Sequence, residues 1–170
     1  MADDMGQRCE KFVDYAIKRV REDNAFAAAL KRADNPDTAY QAWEYLSSWC
    51  SIDNDKEIYP FSLVAAGIGR TKPDVNGNLG LGKAIACCYE DGKDSDAAKS
   101  KLRRLLACRT LKGAFPVLRH LLSLIASHGV SLNYARLLRE LLFWGDGEYV
   151  KRGWAVDFYG GRKPDDSIDA

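Results

Sequence analysis

The hydrophobic positions of this chain recur every three or four residues along most of its length, which is the spacing of amphipathic helices. A first helix is predicted over residues 7–22, and Asp23 with Asn24 can cap a second, short one. Asn35-Pro36 is a start signal for a third helix, because proline is well tolerated in a first helical turn. Asp53 or Asp55 can cap a fourth.

The clearest interruption of this pattern lies at residues 69–78, which contain Pro73 and Asn76-Gly77 and little hydrophobic content. Beyond it, with Ser131 as one of the caps, further helices are predicted over residues 79–89, 95–108, 111–127, 132–144 and 146–158. No useful length alternates between hydrophobic and polar residues as a β-strand would. We therefore expect an all-α protein of two small helical bundles, with about eight to nine helices in total. The N-terminal bundle is expected over residues 1–70, the C-terminal bundle over 79–160, and a flexible tail over 161–170.

Charge is distributed unevenly along the chain, although the formal net charge is only +1. Residues 1–69 carry a net charge of −4, residues 70–152 carry +7, and the last eighteen carry −2. Residues 97–139 hold nine lysines and arginines and no acidic residue. Because a solvated helical face usually mixes both signs, this stretch predicts a surface that binds a polyanion.

Three consecutive predicted helices in this basic region place leucines on one side and arginines on the other. Arg103 and Arg104 point away from the leucine side of the first helix. Arg119 does so on the second helix and Arg136 on the third. The hydrophobic stripes are expected to face the core, which leaves the arginines in solvent.

The segment 77–84 fits the phosphate-loop pattern G-x-x-x-x-G-K, but its chemistry is incomplete. Ala84 stands where a serine or threonine would bind Mg²⁺, and no hydrophobic strand precedes the segment. Gly80 and Gly82 are better explained by close helix packing, and Lys83 then becomes one more cation on the basic side. We expect no nucleotide site.

Other catalytic and metal-binding patterns also fail on spacing. His120 and His128 are separated by about 12 Å of helical rise, too far to share one metal ion. A Cys–His nucleophile pair is not ruled out by spacing, because such residues meet only in the fold, but nothing marks a reactive thiol. The acidic pair Asp165-Asp166 lies in the predicted tail. We expect no enzymatic activity, no metal and no cofactor.

Composition and the N-terminal segment indicate a cytoplasmic protein. No hydrophobic run approaches the ~20 residues that span a bilayer, and the acidic N-terminal segment 1–4 lacks the apolar region of a signal peptide. The five cysteines show no disulfide framework, which fits a reducing compartment. No membrane partner is expected.

The aromatic residues of the third predicted helix, Trp43 and Tyr45, together with Trp49, spread around it and are expected in the core or between bundles. Phe143 lies on the same side of its helix as Arg136. It is the aromatic residue that we expect to be exposed enough to stack on a base or to pack against a partner.

The order and spacing of five segments in the C-terminal half resemble the CasB family, the small subunit of Cascade, the type I-E CRISPR surveillance complex. These segments are GLGKAIA at 80–86, KLRRLLA at 101–107, VLRHLL at 117–122, LNYARLLRELL at 132–142 and WAVDFY at 154–159. Each segment alone is a common leucine- and arginine-rich helix. The resemblance covers about residues 24–160 and is strongest from residue 79 onward.

The resemblance implies an all-α protein of two helical bundles without catalytic activity. It implies two copies stacked head-to-tail beside other Cascade subunits, steadying the heteroduplex of crRNA and target DNA and guiding the displaced non-target strand. By position, the family's basic patch carries over to six residues, and Arg104 is added from its place on the helix. We call the resulting set the basic face; it consists of Lys83, Lys101, Arg103, Arg104, Arg109, Arg119 and Arg136.

Two other readings of the residues stay open. Residues 127–131 could be the turn of a free-standing helix-turn-helix DNA-binding protein, with 132–144 as its recognition helix. Alternatively, the chain could be a purely structural module whose cations meet acidic protein surfaces.

Overall fold

The structure is a computed structural model that describes residues 2–145 and 148–160. In these ranges the chain forms nine α-helices, one short 3₁₀ helix at Gly92–Asp94 and no strand, which confirms the all-α prediction and the expected number of helices. The α-helices are α1 (Ala2–Glu22), α2 (Asn24–Lys31), α3 (Tyr40–Leu46), α4 (Asp55–Thr71), α5 (Leu81–Cys87), α6 (Asp96–Leu106), α7 (Leu111–Ser127), α8 (Tyr134–Leu142) and α9 (Tyr149–Tyr159).

The N-terminal caps follow local side-chain chemistry, but two of them differ from the prediction. Asp23 caps α2 as expected, since its carboxylate accepts a hydrogen bond from the Phe26 amide at 3.0 Å. Asn54, rather than either neighbouring aspartate, caps α4. Asn133, rather than Ser131, caps α8, which begins at Tyr134, and its side chain accepts a hydrogen bond from the Arg136 amide at 2.9 Å.

The third helix begins later than the sequence pattern predicts. The Asn35 side chain accepts a hydrogen bond from the Asp37 amide at 3.0 Å, which closes a turn instead of a helix. The helix α3 therefore begins at Tyr40. Residue 146, where the last predicted helix begins, and the predicted tail 161–170 lie outside the described residues.

The two predicted bundles share one hydrophobic core. Helix α8 packs against α1 and α4, and α4 also packs against α2 and α7. The hydroxyl of the buried Tyr134 in α8 donates a hydrogen bond to the Gly67 carbonyl of α4 at 3.3 Å. These contacts cross residues 69–78, and the division into two units at that segment stays a prediction.

Helices α5 and α9 approach each other closely because of Gly82. A Cβ atom at this position would overlap the backbone carbonyl of Trp154 and would lie 2.9 Å from the Phe158 amide nitrogen. The glycine therefore serves helix packing, as the sequence suggested. Opposite it, the fully buried Trp154 donates a hydrogen bond from Nε1 to Glu140 of α8 at 3.0 Å.

The aromatic predictions hold in part. Trp49 packs edge-on against Phe12 at a centroid distance of 5.4 Å, and Tyr45 packs against Phe26 at 5.0 Å. Trp43, in contrast, is 41% exposed and is not a core residue. Phe143 is half-buried against the core rather than exposed.

Candidate nucleic-acid interface

Helices α6 and α7 pack side by side and carry most of the basic face. Ala98, Leu102 and Leu105 of α6 are buried. Arg103 and Arg104 lie away from these buried residues and are exposed. The buried side of α6 packs against α5 and α7, so the two arginines project from a packed helix. In the described part of the chain, no carboxylate lies within 4.0 Å of either guanidinium.

A contact between Lys101 and His120 joins the solvent sides of α6 and α7. The Lys101 Nζ lies 3.1 Å from the His120 Nε2, and the imidazole is exposed. His120 therefore lies within the basic face, although sequence reasoning gave it no role in binding. The only sequence signal was its place on the solvent side of the leucine stripe.

Arg109 lies in the linker between α6 and α7. The backbone of this linker accepts hydrogen bonds from side chains just after the C-terminal end of α8 and on α9. The Lys151 Nζ donates to the Cys108 carbonyl at 2.5 Å, and the Trp144 Nε1 donates to the Arg109 carbonyl at 3.3 Å. The Arg109 side chain is exposed. Lys151 is thus engaged with the backbone, and with the Trp144 ring 5.4 Å away.

Arg119 of α7 is paired with an acid from the N-terminal half. Its Nε lies 3.6 Å from the Asp34 Oδ1, and its side chain is 44% exposed. Asp34, in the turn after α2, is 1% exposed and also meets Arg70 of α4. The sequence could not reveal this pairing, because residues 97–139 contain no acid of their own.

Arg136 is the most engaged member of the basic face. Its guanidinium pairs with Glu140 at 3.4 Å and with Asp157 of α9 at 2.5 Å. Burial raises the pKa of Glu140, an effect that hydrogen bonding from Trp154 and the charge of Arg136 oppose. Lys83 of α5 is exposed and lines a small cleft together with Arg136 and Asp157.

The structure thus divides the seven predicted binding residues into two groups. Lys101, Arg103, Arg104, Arg109 and Arg119 lie on α6, α7 and their linker. Lys83 and Arg136 lie together where α5, α8 and α9 meet. The contact of these seven residues with nucleic acid stays a prediction.

Three of the five cysteines considered as nucleophiles are buried. Burial raises the pKa values of Cys9, Cys50 and Cys88 to about 11, so these thiols are protonated and unreactive. Cys87 is exposed. Within the described ranges, no three His, Cys, Asp or Glu side chains converge so that they could hold a metal ion.

The helix-turn-helix reading conflicts with the packing of α8. A recognition helix must leave one face free for the major groove and must rest on the helix before it. Here α8 packs mainly against α1 and α4 and has little contact with α7, the helix before it. Arg136 and Glu140, on its outer side, are tied to α9 by Asp157 and Trp154.

The fold and the surface together define an all-α protein whose exposed cations stand on leucine-backed helices. The family model of the CRISPR-associated protein Cse2 matches residues 27–159, which makes the assignment more specific. The chain therefore belongs to the Cse2 family. Cse2 is the CasB subunit of type I-E Cascade, so the resemblance read from the sequence is confirmed.

Two solved structures share the fold. One is the crystal structure of TTHB189, a CRISPR-associated protein of the Cse2 family from Thermus thermophilus. It is 24% identical, with a TM-score of 0.73 over 89% of this chain and 97% of that one. The other is a chain of a CRISPR RNA-guided surveillance complex, 21% identical, with a TM-score of 0.74 over 92% of this chain and 94% of that one.

No curated protein matches the sequence. Among the described residues, none of the helices combines the length and hydrophobicity that crossing a membrane requires.

Proposed function

We propose that this protein is a non-catalytic small subunit of a cytoplasmic type I-E Cascade ribonucleoprotein. Through the basic face it binds nucleic-acid backbone without sequence preference, and so stabilises the crRNA–target DNA heteroduplex and the displaced strand. The observation that carries this proposal is the exposure of Arg103 and Arg104 on the leucine-backed helix α6, where no carboxylate of the described chain lies within 4.0 Å of either guanidinium. Its partners are the crRNA, both DNA strands, the other Cascade subunits and a second copy of itself.

The chemistry of the α6–α7 surface suits backbone contact rather than base reading. Arginine can grip a phosphate with two parallel hydrogen bonds, and a row of helical arginines needs no base-specific group. In a guide complex, base pairing already reads the sequence, so the protein needs only to hold the duplex and the opened strand. Membership of the Cse2 family and the shared fold with a surveillance-complex chain support this role.

The first prediction concerns the isolated protein, which should bind single- and double-stranded nucleic acid weakly and with little sequence preference. If about five phosphates are contacted, the logarithm of the binding constant should fall with the logarithm of salt concentration at a slope of roughly −3.5 to −4.5. Fluorescence anisotropy across a salt series measures this slope. Salt-independent binding, or a strong preference for one duplex, would contradict the proposal and favour a structural module or a sequence-specific binder.

The second prediction concerns Arg103→Ala in the assembled complex. Arg103 is exposed and has no carboxylate neighbour in the described chain, so the change should cost within about 0.5 kcal/mol of folding stability. It should shallow the salt slope of the isolated protein by about one unit and shorten the lifetime of the R-loop more than it affects guide loading. Lys11→Ala is the matched control, since exposed Lys11 lies between Glu10 and Asp14 on α1. Equal R-loop lifetimes for wild type and Arg103→Ala would remove Arg103 from the site.

A further inference from the structure

We propose that Asp34, itself held by Arg70, is a positioning residue that orients Arg119 for contact with a nucleic-acid phosphate. This inference rests on the proposed function and names how one part of the basic face is built. Asp34 lies far from the basic stretch in sequence, and its negative charge would ordinarily be expected to weaken binding of a polyanion.

The cluster joins three separate elements of the fold. Asp34 follows α2 and is 1% exposed, Arg70 lies in the last turn of α4, and Arg119 lies on α7. The Arg70 Nη1 approaches the Asp34 Oδ2 at 2.9 Å, and the Arg119 Nε approaches the Asp34 Oδ1 at 3.6 Å. The side chain of Arg70 is 17% exposed and that of Arg119 is 44% exposed, so Arg119 is the solvent-facing member.

The charge balance of the cluster favours a second anion. One carboxylate faces two guanidinium groups, and the Nε and Nη2 atoms of Arg70 are buried without a hydrogen-bond partner within the described structure. The Oδ2 of Asp34 also lacks a directed hydrogen bond, although Arg70 is at ion-pair distance. Excess positive charge around a buried carboxylate is balanced when a phosphate meets Arg119 from solvent.

The geometry at Arg119 also leaves the useful part of its side chain available. Asp34 approaches the Nε atom, so the two Nη groups remain for the paired hydrogen bonds that arginine makes to phosphate. The ion pair with Asp34 limits the orientations of the Arg119 guanidinium, so this group loses less rotational freedom on binding than an unpaired one. Asp34 thus reduces the positive charge available to a phosphate but fixes the orientation of the Arg119 guanidinium.

Two possible roles for Asp34 predict opposite changes in nucleic-acid affinity when Asp34 is replaced by asparagine, so one measurement distinguishes them. If Asp34 only neutralises Arg119, Asp34→Asn should tighten nucleic-acid binding and steepen its salt dependence. If Asp34 positions Arg119, Asp34→Asn should weaken binding by about fivefold, less than one tenfold step in affinity. It should then have no further effect in an Arg119→Ala background, because coupled residues are not additive.

The experiment measures the dissociation constant of the 170-residue chain for a short fluorescent DNA duplex. The variants are Asp34→Asn, Arg119→Ala and their double mutant, measured well below their melting temperatures. Asp37→Asn is the matched control, because exposed Asp37 lies in the same turn and its carboxylate meets no arginine in the described chain. Tighter or unchanged binding by Asp34→Asn overturns the inference.

Arg119→Lys tests the same idea without touching the buried carboxylate. Lysine keeps the charge but lacks the Nε contact and the paired donors, so positioning predicts a loss close to that of Arg119→Ala. Wild-type affinity for Arg119→Lys would overturn the inference even if Asp34→Asn did not fold. If Arg103→Ala weakens binding and Arg119→Ala does not, this inference fails alone. If the wild-type protein binds no nucleic acid, the proposed function fails first.

Discussion

Replacing Gly82 by alanine is expected to destabilise the protein by about 3 kcal/mol or more, despite the higher helix propensity of alanine. The added Cβ would overlap the Trp154 carbonyl and press on the Phe158 amide, and both are backbone atoms that cannot rotate away. Helices α5 and α9 would have to separate, which exposes hydrophobic surface between them. Denaturant unfolding measures the free energy of unfolding and its midpoint.

Gly153→Ala provides the matched control within α9. A Cβ atom at Gly153 would meet nothing within 4 Å, so the change should stabilise the protein by about 0.5–1 kcal/mol through helix propensity alone. Opposite shifts of the two variants would assign the loss at Gly82 to close packing. A Gly82→Ala variant that unfolds at the wild-type midpoint would show that α5 and α9 are not held as described.

Helical periodicity was enough to predict the fold class and most of the helices. Apolar positions at three- and four-residue intervals identify the buried side of a helix without any knowledge of its neighbours. The side of α6 that carries Leu102 and Leu105 is buried for that reason, and the predicted exposure of Arg103 and Arg104 is confirmed. Cap positions were less certain where two polar residues compete, as with Asn54 and its flanking aspartates.

The partners of the charged residues could not be predicted in the same way. A stretch free of acids looks uniformly basic in sequence, yet folding brings Asp34 to Arg119 and Asp157 to Arg136. These contacts depend on how separate helices pack, which the local spacing of residues does not encode. The pairing of Arg136 with Glu140 was foreseeable, because the two lie one helical turn apart.

Arg136 shows what this means for the predicted interface. Two carboxylates already engage its guanidinium, whereas the α6 arginines have none within 4.0 Å among the described residues. A phosphate would have to compete for Arg136 but not for Arg103. The α6 arginines are therefore the stronger part of the proposed site.

Trp154→Ala is expected to destabilise the protein by about 3–5 kcal/mol, the usual range for removing a large buried aromatic side chain. Trp154 of α9 is fully buried. The centroid of its ring lies 5.9 Å from that of the Trp144 ring. The control is Tyr149→Ala on the same helix, where the aromatic ring is 81% exposed and the loss should stay within about 0.5 kcal/mol. Equal losses for both variants would contradict the buried position of Trp154.

Trp154→Phe separates the packing of the ring from the hydrogen bond that Nε1 donates to Glu140. Because burial raises the pKa of Glu140, the folded protein holds that proton more tightly than the unfolded chain does. Ionising Glu140 therefore costs stability as the pH rises through its folded pKa. Phenylalanine removes a donor that favours the ionised form, so the pKa should rise further. The loss caused by Trp154→Phe should then be larger at about pH 7 than at about pH 4, and an equal loss at both would show that Trp154 acts through packing alone.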